Sequence, residues 1–246
     1  MGRKWQNIKL DKGKTDAQRG ALFTRLSREI TLAVKSGSPD PESNHRLKLA
    51  VEKARESNMP SDNVKRAIAR GTGSEGEKEI EEIRYEGYGP HGLAVVVDAA
   101  TDNRNRTAGE LRFLFSKHGG SLGETGSVAW MFDAVGIVEI APQGKSEDAL
   151  TEGALVDGVI DLDYSESIAY VYTQPAQLAS AREALRAAAL KVSDAYLGVR
   201  AKATVEPQGE ELTAALTFLD VLEEHEDVQH VFSNLNVSEA ALEALT

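Results

Sequence analysis

Apolar residues recur at three- and four-residue spacing through the first part of this chain and give way to short strand-like runs in the rest. Leu22, Leu26, Ile30, Ala33 and Val34 form one apolar stripe, behind Thr15 and Asp16 as candidate N-caps. Gly37, Pro39 and Pro41 stop that helix, and Leu47, Ala50, Val51 and Ala54 mark a second. A third starts at Pro60-Ser61-Asp62, turns Val64, Ala67 and Ile68 inward and ends at Gly71. Three short amphipathic helices predict a small bundle.

Residues 71–84, GTGSEGEKEIEEIR, are polar, acidic and glycine-rich and read as a link. LAVVVDAA at 93–100 reads as a strand entered by the turn GYGPHG, followed by a helix over about 104–118 and an extended run at 128–132. From 135 the order is strand, helix, strand, strand, helix, strand, the ferredoxin-like βαββαβ plan. A helix carrying Leu212, Leu216, Leu219 and Leu222, then the strand-like DVQHVFSNLNV, complete the earlier β-α-β unit as a similar layer. The predicted class is α+β, with an N-terminal three-helix domain and two ferredoxin-like α/β domains, one inserted in the other. Their expected bounds are 1–75, then 76–133 plus 206–246, with 134–205 as the insertion.

Charge adds the first functional clue. The net charge of −11 is unevenly spread: residues 1–71 hold 16 Lys and Arg against 8 Asp and Glu, while the remainder holds 12 against 31. A basic segment tied to an acidic body points to an anionic partner for the former, nucleic acid being the commonest. No apolar run approaches the roughly 18 to 20 residues of a membrane span, and the N-terminus lacks an apolar signal core. The expectation is a cytoplasmic protein with no membrane partner. The absence of cysteine excludes disulfides, Cys–zinc sites and thiol nucleophiles.

Candidate chemistry is thin. GTGSEG fits a dinucleotide-binding pattern, but a helix precedes it and glutamates follow, whereas that site needs a strand before and a helix after. Ser121 stands in a Gly-x-Ser-x-Gly frame, the alternative reading being a serine hydrolase; a nucleophile elbow is a strand-to-helix turn, and the order here is helix, turn, strand. The five histidines show no metal-ligand spacing, so no metal, no other cofactor and no small-molecule substrate are expected.

Three features point to phosphate. Arg3, Lys4, Lys9, Lys12 and Lys14 surround Trp5, placing cations beside a ring able to stack on a base or to fasten the arm to the bundle. Arg25 and Arg28 share a side of the first helix. Arg104 and Arg106 open the helix of 104–118, where cations oppose the helix dipole at a cost of about 0.3–1 kcal/mol each. An external anion or an acidic neighbour in the fold would account for them; Lys117, at the other end, is a further candidate phosphate contact.

The tract YEGYGPHGLAVVVDAATDNRNRTAGELRFLFSKHGGSLGETGSVAWMF, residues 85–132, closely resembles the YebC/PmpR family. The similarity extends through DAQRGALFTRLSREI, SPDPESN, NMPSDNVKRAIARGTG and LEEHEDVQHVFSNLNV and weakens over 135–205. It implies a helical N-terminal domain followed by two α/β domains, one inserted in the other, and a nucleic-acid-binding regulator without known catalysis. Some members are described as DNA-binding transcription regulators. Others are ribosome-associated translation factors, one of them a mitochondrial activator of cytochrome oxidase translation, that assist difficult sequences such as proline runs. By position, Lys4, Trp5, Lys9, Arg19 and Gly20 match the family's basic pattern, and Asn103, Arg104, Asn105 and Arg106 its central motif. The chain departs from it in lacking the family's early histidine and in placing Asp11 where a basic residue is usual. The resulting expectation is a non-enzymatic regulator of gene expression whose partner is DNA or ribosomal RNA and tRNA, the latter on the ribosome.

Overall fold

The computed structural model describes residues 16–73, 79–164, 168–238 and 241 and the backbone of Arg3–Lys4, with side chains from Arg19 onward. Strand β1 (Arg3–Lys4) is followed by helices α1 (Asp16–Lys35), α2 (His45–Glu56) and α3 (Ser61–Gly71). Next come β2 (Glu81–Tyr88), β3 (Ala94–Thr101), α4 (Arg104–Lys117) and β4 (Ser121–Leu122). Strand β5 (Phe132–Ala141), α5 (Glu147–Gly153), β6 (Val159–Tyr164), β7 (Ala169–Thr173), α6 (Leu178–Ala187) and β8 (Lys191–Ala201) follow. Helix α7 (Gly209–Glu224), β9 (Val228–Ser233) and β10 (Asn236–Val237) end the series. The class is α+β, helices first and sheets after. Among the described residues no helix is long and apolar enough to cross a membrane.

Backbone contacts divide the chain into two compact units. One comprises Asp11–Ala129 and Thr213–Val231; the other comprises Met1–Leu10, Trp130–Leu212 and Phe232–Thr246.

In the first unit the three predicted stripes meet. Leu26, Ile30, Ala33 and Val34 of α1 pack with Leu47, Ala50, Val51 and Ala54 of α2 and with Val64 and Ala67 of α3; Leu22 and Ile68 lie at the margin. Asn44 fixes the α1–α2 corner: its Oδ1 accepts from Leu47 N at 3.1 Å, capping α2, while Nδ2 donates to Ala33 O and Ser38 O. The sheet of this unit runs β4-β2-β3-β9. It opens on an antiparallel hairpin, β2 against β3, instead of the strand–helix–strand opening of the βαββαβ plan. Strand β2 covers residues 81–84, which the sequence pattern reads as link. Glu81, Glu82 and Arg84 are exposed there, so the apolar alternation that signals a strand is missing.

The second unit holds the predicted βαββαβ succession as an antiparallel sheet in the order β6-β7-β5-β8. Leu150 of α5 and Ala181 and Leu185 of α6 are buried with Ile137, Val138, Ile140 and Val171 of the sheet. In the same unit β1 pairs antiparallel with β10, Arg3 opposite Val237 and Lys4 opposite Asn236, so the arm's backbone is tied down at that point.

Candidate nucleic-acid interface

Helix α4 begins at Asn103, whose Oδ1 accepts from Arg106 N at 3.2 Å and whose own N–H donates to Thr101 Oγ1 at 2.9 Å. That cap brings Arg106 and Thr107 to the start of β9. Asp227, whose side chain is 0% exposed, stands there. Its carboxylate accepts from Arg106 Nη2 at 2.9 and 3.0 Å, from Thr107 Oγ1 at 2.5 Å, and pairs with Arg28 Nη1 at 2.6 Å. Thr107 Oγ1 also lies 2.8 Å from Thr101 Oγ1. Burial pushes the Asp227 carboxyl up, but the hydrogen bonds from Thr107 and Arg106 and the charges of Arg28 and Arg106 outweigh it and hold the group below the usual range. The same carboxylate raises the Arg106 guanidinium above its ordinary value. Asp102 and Glu110 add charges at 3.3 and 3.9 Å from Arg106.

The arginines of α1 turn inward as well. Arg25 Nη1 donates to Glu223 O at 3.1 Å and Arg28 Nη1 to Glu226 O, at the C-terminal end of α7, where backbone carbonyls lack intrahelical partners. Cations at that end complement the helix dipole. Next to them Asp227 N donates to His225 Nδ1 at 3.1 Å, so a neutral His225 carries its proton on Nε2, which lies 3.0 Å from Glu110 Oε2. Glu110, His225 and Asp227 bring ligand-type atoms within 4.8 Å of one another. Two guanidiniums and a hydroxyl already take up Asp227, however, and their charge opposes a cation, so the trio reads as part of an ion-pair network.

The glycine tract after α4 has a conformational cause. Gly119 has φ +79°; its N–H donates to Ser116 O at 3.2 Å and Gly120 N–H to Phe115 O at 2.8 Å, a Schellman stop. A Cβ on Gly120 would lie 2.3 Å from Tyr88 O, and one on Gly123 2.4 Å from Ser127 Oγ. Ser121 is exposed in β4, paired with Tyr88 of β2. Below it, Glu86 is buried and accepts from the N–H groups of Gly126, Val128 and Ala129 at 2.9, 3.0 and 2.7 Å. The turn, the close approaches and the carboxylate anchor explain the Gly-x-Ser-x-Gly spacing without a nucleophile, and nothing supports the hydrolase alternative.

The predicted phosphate contacts therefore separate. Trp5, Lys9, Lys12 and Lys14 lie outside the described residues, as do the side chains of Arg3 and Lys4. Arg19 is exposed. Arg28, 8% exposed, is committed to Asp227 and Glu226, and Arg25 is half-buried on Glu223; their position against α7 could not be read from α1 alone. Arg106 is engaged by Asp227, an acidic neighbour, one of the two accounts that its place in the first turn leaves open. Arg104 faces water, its side chain 68% exposed and 3.8 Å from Glu81. Lys117 is exposed, with Nζ 5.9 Å from the centre of the Phe113 ring. Arg55, Lys65, Arg66 and Arg112 are also exposed, although Lys65 reaches Asp62 and Arg66 reaches Asn63. Nothing in the local sequence pattern singles out Asp227, whereas Phe113 stands off the buried stripe of α4 formed by Thr107, Leu111 and Phe115.

Comparison with known proteins places this arrangement. Residues 3–74 match the model of the TACO1/YebC N-terminal domain, and residues 80–235 that of the TACO1/YebC second and third domain. A protein of Symbiobacterium thermophilum, named a probable transcriptional regulatory protein, is 48% identical over 243 residues, covering 98% of this chain and all of the relative. One of the same description from Pelotomaculum thermopropionicum is 46% identical, covering 96% of this chain and 98% of its own. The crystal structure of a conserved hypothetical protein from Aquifex aeolicus superposes with a TM-score of 0.86 at 41% identity, over 96% of this chain and 97% of that one. With both family models matched in sequence order across nearly its whole length, the chain belongs to the TACO1/YebC family.

Proposed function

We propose that this protein is a cytoplasmic, non-enzymatic regulator of gene expression that binds nucleic acid through its basic N-terminal segment. One observation carries the reading: the first 71 residues hold 16 basic against 8 acidic side chains, while the rest of the chain is strongly acidic. The names of the relatives, probable transcriptional regulatory proteins, agree with it. In this reading residues 1–75 form the binding domain. Residues 76–133 with 206–246 carry further contacts, and 134–205 are an inserted domain.

The contacts assigned are Arg3, Lys4, Lys9, Lys12 and Lys14 with Trp5 in the arm, Arg19, Arg55 and Arg66 on the helices, and Arg104 and Lys117 on α4. Arg25, Arg28 and Arg106 drop out of the phosphate-facing set because they hold Asp227 and the end of α7. Such a surface reads phosphate and shape more than base edges. The acidic remainder limits which way the protein docks, since it repels the same polyanion.

The partner is promoter DNA, or ribosomal RNA and tRNA in a translating ribosome. Sedimentation of a cell extract at two salt concentrations, beside a duplex-shift assay at the same salt, separates them. Co-sedimentation with ribosomes that weakens at high salt supports the translation role. A specific duplex shift without co-sedimentation eliminates it. Neither behaviour would contradict nucleic-acid binding itself.

A further inference from the structure

Helix α4 carries an exposed aromatic ring and a glycine that packing does not explain. Phe113 is 62% exposed. Gly109, one turn before it, lies mid-helix, and a methyl group there would meet nothing within 4 Å. Glycine in a helix interior costs about 1 kcal/mol relative to alanine. With helical φ and open space around it, Gly109 has no reason for that cost inside its own chain. A glycine on an exposed face leaves room for something outside to approach the backbone closely. Gly109 and Phe113 line one open groove of about 480 Å³, whose other walls are Leu114, His225 and the acidic Glu110 and Glu226.

The charges around this groove are sorted by position. Lys117, four residues on, shares the exposed face of Phe113 and brings its Nζ to 5.9 Å from the ring centre, while Arg112, the preceding residue, is exposed about 100° further round the helix. Carboxylates line the groove, with one cation over the ring and a second further round the helix. That order suits one class of ligand. An unpaired nucleobase offers a π-face to an aromatic ring and amino hydrogens on its edge to a carboxylate, while its backbone phosphates lie to the side and need cations. Duplex nucleic acid keeps its bases stacked on one another and cannot offer a face to Phe113.

We infer that the outer face of α4 is a binding site for a single-stranded segment of nucleic acid, with one unpaired base stacked on Phe113 over Gly109 and the neighbouring phosphates on Arg112 and Lys117. This rests on the proposed function and specifies the ligand of its α4 contacts. Bases that carry an exocyclic amino group, such as cytosine, are preferred over uracil, because Glu110 and Glu226 accept from that group.

The test uses the full-length protein, labelled oligo(C) and oligo(U) RNA, and a duplex of mixed sequence, with binding followed by fluorescence anisotropy. Phe113→Ala is expected to weaken oligo(C) binding by about ten-fold or more, and Phe113→Trp to keep it, with duplex binding unchanged in both. Gly109→Ala gives opposite signs in two readouts: melting temperature rises by about 2 °C as helix propensity improves, while single-strand binding weakens. Wild-type protein that binds nucleic acid, with Phe113→Ala and Gly109→Ala binding oligo(C) equally well, overturns this inference and leaves the proposed function standing. Equal wild-type affinity for oligo(C) and oligo(U) removes the role given to the carboxylates. Wild-type protein that binds none of the three probes overturns both readings.

Discussion

Arg106 and Asp227, 121 residues apart in the chain, meet at 2.9 Å, with the Asp227 side chain wholly buried. Arg28 closes on the same carboxylate from α1, so one acid ties together the first helix, the start of α4 and the start of β9. Removing the acid would leave two guanidiniums facing each other. Asp227→Asn is therefore expected to cost about 3 kcal/mol of stability, the low end for a broken buried pair because Arg106 is partly open to water. Glu226→Gln, at an exposed neighbour, is expected to stay within about 0.5 kcal/mol. Urea denaturation of the two variants checks this, and equal midpoints would remove Asp227 from its central place.

The two arginines that open α4 should behave differently. Arg104→Gln is expected to leave stability unchanged and to lower the slope of log K against log salt by about 0.7 to 0.9, the share of one phosphate on a single strand or a duplex. Arg106→Gln is expected to lower the urea midpoint, because its charge answers Asp227. A salt slope that responds to Arg106 and not to Arg104 would reverse their roles.

Stability should fall on acidification. Asp227 and Glu86 are both held below the ordinary carboxylate range; for Glu86, burial pushes up but the N–H groups of Gly126, Val128 and Ala129 and the Arg84 charge pull down further. In the unfolded chain they titrate near 3.9 and 4.3. Between folded and unfolded values the unfolded state binds more protons. The stabilisation is thus complete above roughly pH 5 and lost as pH falls below about 4 and through the folded values. Denaturation midpoints measured from pH 6 to pH 3 should drop, and Glu86→Gln should flatten the curve. A pH-independent midpoint in wild type would contradict both assignments.

The glycine tract gives a contrast within three residues. Gly120→Ala sets a Cβ against the Tyr88 carbonyl oxygen at 2.3 Å, so the protein should be clearly destabilised. Ser121→Ala, at an exposed side chain, should change neither stability nor binding. Thermal melts and nucleic-acid titration of the two variants decide it, and loss of function in Ser121→Ala with an unchanged melt would reopen nucleophilic chemistry at Ser121.

Much of this architecture is written locally. The apolar stripes of α1, α2 and α3 identify the residues that become one core, and the βαββαβ order can be read because its strands are apolar and its helices periodic. Strand β2 is hidden because exposed glutamates occupy its outer positions. The anchor at Asp227 is hidden for another reason: nothing in EEHEDVQH marks one acid among four as buried. Its trace lies elsewhere, in two cations set against the dipole of α4, which require a counter-charge without saying where it comes from. Arg25 and Arg28 look like surface cations because α1 by itself does not show that α7 ends against them.

In the proposed function the basic segment binds a polyanion. Equilibrium binding of the full chain to duplex DNA and to ribosomal RNA across a salt series tests it most directly. Measurable binding to at least one of them at low salt is expected, with log K falling linearly against log salt and a slope of several phosphates, each worth about 0.7 to 0.9. Binding to neither at low salt, or an affinity independent of salt, would contradict it.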